Sequence, residues 1–260
     1  MTYRRIACLC AGAVEALYML GAEDQVAGIS GFTFYPPRAR KEKPKVSGFR
    51  SARIDRILAL EPDLVVAFSH VQNETARALI EAGLEVHVYN HVDLGGIMRM
   101  VESLAALTGR EAEGRRLLGR LDDEVGASRE KAARMRRRPK IFFEYMSEPL
   151  TTGIGWVSDI IGIAGGEDCF ADRARNLSFR DRAVGDASEV VKRAPDIILG
   201  NWRGRKIGPA QVAARPGWST IPAVRAQRLV EIETTDFHVP GPGVITRGLK
   251  RVTDIVEAWS

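Results

Sequence analysis

The groups in this chain that could hold a metal or act as nucleophiles are few: three cysteines and four histidines among 260 residues. Cys10, His70, His91 and His238 each follow an apolar run of strand length, whereas His87 lies inside such a run, between Val86 and Val88, and reads as structural. An imidazole at a strand end can serve as the axial ligand of a metal chelate, and Cys10 with His70 or His238 could also hold a bare metal ion. No paired CxxC or HExxH spacing accompanies them, so no resident metal site is assigned and no intrinsic cofactor is expected. Cys10 beside a histidine could form a nucleophile pair, yet nothing supplies the third member of a triad. Cys10-Ala11-Gly12-Ala13 lacks the dinucleotide fingerprint, and neither a G-x-S-x-G elbow nor a P-loop occurs. The expectation is a protein with no catalytic residues.

A second set of side chains shares those positions. Phe32, Tyr35 and Phe68 join His70 in the first half, and Tyr145, Trp156, Trp202, Phe237 and His238 stand in the second. Aromatics make up only 7% of the chain, so their concentration after strands points to binding: a flat, mostly apolar chelate buries well against rings. Phe68 and Trp156 could equally cap their cores. Arg180, Arg182 and Arg247 could pair with carboxylate or phosphate groups, solvation being the default for each.

These residues are positioned by alternating strands and helices. Ile6–Cys10, Val26–Ile29, Leu64–Phe68 and Glu85–Tyr89 read as strands in the first half; Lys140–Tyr145, Ile197–Leu199 and Leu229–Ile232 follow in the second, with helical patterns between them. Such alternation builds parallel sheets covered on both faces, and ligands of parallel α/β sheets bind beyond the carboxyl ends of the strands. From Arg110 to Arg138 apolar or small residues recur at Leu117, Leu121, Val125, Ser128, Ala132 and Met135. Those steps of three and four predict one amphipathic helix of about 28 residues and about 40 Å, closed by a basic run, Arg134 and Arg136–Arg138, that favours the helix dipole. The chain also repeats itself. Glu61-Pro62-Asp63 precedes the strand Leu64–Phe68 and Ala194-Pro195-Asp196 precedes Ile197–Leu199, 133 residues on. The expected fold is α/β: two Rossmann-like lobes with parallel sheets, residues 1–109 and 139–260, joined by a long backbone helix at 110–138, with the ligand cleft between the lobes.

The net charge of +5 is spread along the chain, which argues against nucleic-acid binding. The first apolar run is needed as a strand, so as written the chain reads as cytoplasmic, and unpaired cysteines fit a reducing compartment.

Val46-Ser47-Gly48-Phe49 and Ile54 through Val66, with the helix Val14–Gly21, the loop Ser30–Pro36, Ala164-Gly165-Gly166-Glu167 and Arg215-Pro216-Gly217-Trp218, resemble landmarks of the helical-backbone (class III) substrate-binding proteins of ABC importers, cobalamin-binding type. The resemblance implies capture of cobalamin or a related corrinoid, haem or ferric siderophore by a monomer that docks on an ABC permease, usually in the periplasm or on a lipid anchor. It places Glu74 at the permease contact of the first lobe. The second lobe lacks its acidic counterpart between Arg203 and Trp218, which keeps open the alternative of a cytosolic chelate-handling protein or enzyme on the same fold.

Overall fold

A computed structural model describes residues 2–200 and 208–260. The chain divides into two compact units: residues 1–91, 95–122 and 239–243 form the first, and residues 92–94, 123–238 and 244–260 the second. The chain passes from one unit to the other inside the helix Glu111–Ala133. That helix is shorter at both ends than the periodicity predicts. Gly109, at φ +69°, separates it from the preceding helix Leu94–Thr108, and the run Arg134–Arg138 lies beyond its last turn. At 1.5 Å per residue its 23 residues span about 35 Å.

The first unit is built on a parallel sheet of five strands: β1 (Ile6–Cys8), β2 (Val26–Ser30), β3 (Lys45–Ser47), β4 (Leu64–Phe68) and β5 (Val86–Tyr89), in the order β3-β2-β1-β4-β5. Both faces of β1 are covered, so Ile6, Ala7 and Cys8 are all buried, as continuous apolar strands of parallel sheets require. Cys10 is outside the strand, at the start of the helix Ala11–Met19; both it and Cys8 are buried free thiols. Gly12 in that helix has a packing reason: a Cβ there would lie 2.1 Å from the carbonyl oxygen of Pro240. The glycine lets the turn Pro240–Gly241 rest on the helix, and no phosphate is needed to explain it.

The second unit carries β6 (Lys140–Ser147), β7 (Leu150–Thr152), β8 (Glu167–Asp168), β9 (Ile197–Gly200) and β10 (Leu229–Glu231), ordered β10-β9-β6-β7 with β8 on β6. This sheet is not wholly parallel, because β7 folds back antiparallel on β6. Its core on one face gathers Phe142, Phe170, Val190, Ile198, Val212 and Trp218. The final helical stretch is a π-helical turn, Val244–Leu249, continued by the helix Lys250–Trp259.

The repeated Pro-Asp pair explains itself in hydrogen bonds. Proline pushes the residue before it out of the α region, and here Glu61 and Ala194 take left-handed φ of 46° and 49°. Each aspartate then ties down the first strand of its unit. Asp63 accepts from the amides of Arg4 and Arg5 at 2.7 and 2.9 Å, and Asp196 accepts from the amide of Lys140 at 2.9 Å. In both units the strand that follows pairs in parallel with that tethered strand, β4 on β1 and β9 on β6.

Candidate functional site

All five strands of the first sheet run the same way, so their carboxyl ends share one edge. The residues beyond it are Leu9 and Cys10 after β1, Phe32 after β2, Phe49 after β3, Ser69 and His70 after β4, and His91 after β5. Four aromatics in these loops are exposed: Phe32 by 49%, Phe34 by 45%, Tyr35 by 36% and Phe49 by 43%. Large rings left in water at one edge mark a surface meant to be covered. Phe32 and Phe49 meet edge to face at 5.9 Å, and half-buried Phe68 meets His91 edge to face at 5.3 Å.

The edge is held rigidly from beneath. Arg40 donates to the carbonyls of Gly31 and Thr33 at 2.7 and 2.9 Å and lays its guanidinium 5.2 Å from the Phe34 ring. Ser30 Oγ accepts from the Phe32 amide at 3.2 Å. Buried Gln72 clamps three loops at once. Its Oε1 accepts from the Phe68 amide at 2.8 Å, while its Nε2 donates to the carbonyls of Leu9 at 3.3 Å and Phe49 at 3.1 Å. Ser69 sits at φ 58°, donating its amide to the Tyr89 carbonyl; a left-handed serine is uncommon, and this one turns the chain sharply from β4 into the short turn that carries Gln72.

The predicted residues of this unit separate on inspection. Phe32 and Tyr35 are exposed at the edge and Phe68 is half-buried there. His70 is exposed, next to Gln72. Cys10 is buried, and burial pushes its thiol up to about 11, far from the thiolate that metal ligation needs. Glu74 is exposed in the first turn of the helix Asn73–Glu81, 3.4 Å from Arg77. Burial lowers the pKa of His87, which lies within β5 against Tyr89.

In the second unit the carboxyl ends of β6 and β10 bring Tyr145 and His238 together, their rings stacked at 3.8 Å and 20°. Phe179 packs beside Tyr145 at 5.7 Å. Trp156 and Phe237, which the sequence places with the ligand, are instead core residues. They are 2% and 0% exposed, and the Trp156 indole donates to the Phe237 carbonyl at 2.7 Å. Trp156 lies in the first turn of the helix Gly155–Ile163. Trp202 lies outside the described residues. Of the three arginines, Arg180 is exposed, Arg247 pairs with Asp236 at 2.8 Å, and Arg182 is 1% exposed between the rings of Tyr145 and Phe179. Glu144 on β6 is buried and grips Arg215 through two bonds of 2.7 and 2.9 Å. Among the described residues no group of three or more His, Cys, Asp or Glu side chains is gathered as a metal site.

Phe34, Phe49 and Gln72 are not singled out as site residues from the sequence, and Arg182 is named there only as a possible partner for an anionic group, with solvation as the default. Phe49 follows β3 as Phe32 follows β2, but β3 has only three residues and shows no period.

The family described as periplasmic binding protein matches residues 6–234, and the chain belongs to it. An ABC transporter substrate-binding lipoprotein of Bacillus subtilis is 25% identical over 98% of this chain and 78% of its own length. A vitamin B12-binding protein of Vibrio parahaemolyticus is 27% identical over 75% of this chain and 70% of its own. Among solved structures, a periplasmic heme-binding protein of Roseiflexus shares the fold at a TM-score of 0.82 and 24% identity, covering 98% of this chain and 97% of that one. The family is one of solute-binding proteins, not of enzymes. Its periplasmic and lipid-anchored members give no support to a cytoplasmic reading. Among the described residues no helix is long and apolar enough to cross a membrane.

Proposed function

We propose that this chain captures a flat metal chelate, a corrinoid of the cobalamin class, for an ABC importer. The observation that carries the reading is the row of four exposed aromatics, Phe32, Phe34, Tyr35 and Phe49, at the carboxyl edge of the first sheet. Covering one ring removes on the order of 100 Å² of apolar surface from water, about 2–3 kcal/mol. Two or three rings give a useful affinity before any polar contact is made. The relative that binds vitamin B12 supports the corrinoid over other chelates, and the substrate-binding lipoprotein supports delivery to a permease. We assign Phe32, Tyr35, Phe49 and Phe68 of the first unit to the ligand. Glu74, exposed at a helix start, is assigned to the permease contact.

Titration of hydroxocobalamin, followed by its visible absorption, tests the assignment against Phe32→Ala and Phe49→Ala. Each variant should weaken binding by about 1–3 kcal/mol, as for a buried aromatic contact, with unchanged melting, because both rings stand in solvent. Wild-type affinity in both variants would place the ligand elsewhere.

A further inference from the structure

Arg182, in the second unit's aromatic cluster, has polar chemistry that its described surroundings leave unfinished. It is 1% exposed, and no carboxylate lies against it among the described residues. Burial alone pulls its pKa down, opposed only by the neighbouring Tyr145 phenol. A guanidinium stays charged even so, and a buried charge without a counter-charge is costly. The rings of Tyr145 and Phe179, 5.2 and 5.0 Å from its centre, offset part of that cost through their π faces.

The unfinished part has a shape. Nη1 donates to the Thr152 carbonyl at 2.9 Å, which fixes the plane of the group. Nε is buried with no partner, as is the hydroxyl of Thr152, and Nη2 makes no hydrogen bond among the described residues. Nε–H and Nη2–H lie along one edge of the guanidinium fork, the edge that takes the two oxygens of a carboxylate or phosphate side-on. The phenolic hydroxyl of Tyr145 likewise makes no hydrogen bond among the described residues. Tyr145 and Phe179, which wall the group, are each partly exposed, so the pocket is not sealed.

Local folding does not require this side chain. Backbone bonds hold the segment: Thr152 donates its amide to the Arg182 carbonyl at 3.1 Å, Val184 donates to Leu150 at 2.7 Å, and Ala183 bridges Thr151.

We infer that Arg182 forms an anion subsite in the second unit, taking a carboxylate or phosphate group of the ligand along its Nε–Nη2 edge with the Tyr145 hydroxyl as a further donor. The inference rests on the chelate reading for the identity of the ligand, and not for the existence of the subsite.

Two measurements test it. In the first, the full chain is labelled at arginine nitrogen and the Arg182 Nε–H resonance is identified by its loss in Arg182→Gln. Inorganic phosphate and acetate are then titrated separately, with chloride as an ionic-strength control. A saturable shift of that resonance with phosphate or acetate, and none with chloride, is expected. No saturable shift with either anion overturns the subsite. The second compares ligand pairs that differ in the anion: cobalamin, which carries a phosphodiester, against cobinamide, which does not, and haem, with its carboxylates, against haem dimethyl ester. Arg182→Gln should weaken the anion-bearing member of the pair that binds about tenfold or more, the worth of a charge-assisted bond, and leave the member without that anion unaffected. Equal losses on both members would make Arg182 a packing residue and overturn the inference. If the wild type binds none of the four, the chelate reading fails, and the phosphate and acetate titrations still decide the subsite.

Discussion

Replacing Gln72 by leucine keeps the volume of a buried side chain and removes its three hydrogen bonds. The Phe68 amide and the carbonyls of Leu9 and Phe49 lose a side chain that joins β1, β3 and β4 at their carboxyl ends. At roughly 1 kcal/mol of net stability per buried hydrogen bond, the loss is about 3 kcal/mol. For a chain of this size each kcal/mol moves the melting temperature by about 2–4 °C, so Gln72→Leu should melt roughly 6–12 °C below wild type. The same change frees the loops that carry Phe49 and Phe68, and ordering them again on binding adds a cost to association. Chelate affinity should therefore fall even though Gln72 need not touch the ligand. Calorimetric melting with a parallel absorption titration measures both. A Gln72→Leu protein that melts within about 2 °C of wild type and binds as tightly would refute the claim that this residue holds the binding edge together.

The repeated Pro-Asp device makes a paired prediction: Asp63→Ala, which frees two backbone amides, should destabilise more than Asp196→Ala, which frees one, by roughly 1 kcal/mol in denaturant titrations. Alkaline pH should weaken the fold, since burial pushes Tyr145 and Tyr89 up to about 12 from 10.0. The unfolded chain releases those protons first, so stability is full below pH 10 and falls as pH rises toward 12, read as a declining urea midpoint and as phenol absorbance that appears late. Glu74→Arg should abolish stimulation of the cognate permease and leave ligand affinity intact; unaltered stimulation would remove Glu74 from the docking surface.

Much of the scaffold was legible because it rests on local rules. Glu61-Pro62-Asp63 and Ala194-Pro195-Asp196 announced two units of like build, since proline dictates the turn and aspartate the tether. The strands β1, β4 and β9 showed as apolar runs because parallel sheets bury both faces. What stayed hidden depends on contacts between residues distant in sequence. β3, β7 and β8 have two or three residues each, too few to display a period, and with β7 went the antiparallel turn of the second sheet. Trp156 and Phe237 read as binding residues because they sit near strand ends, whereas their burial comes from a bond across 81 residues. Arg182 reads as a solvated arginine by default or as a partner for an anionic group, and its burial shows only in the contacts with the rings of Tyr145 and Phe179. The expectation for Trp202 concerns a segment outside the described residues.

On the proposed function, the exposed aromatic edge of the first unit receives a flat metal chelate. Native mass spectrometry of freshly purified protein incubated with hydroxocobalamin, cobinamide and haem in turn, each with a visible absorption spectrum, tests it most directly. A stoichiometric adduct and a shifted spectrum are expected with a corrinoid, both lost when Phe32, Phe49 and Phe68 are replaced together. A protein that forms no adduct with any of the three chelates would contradict it.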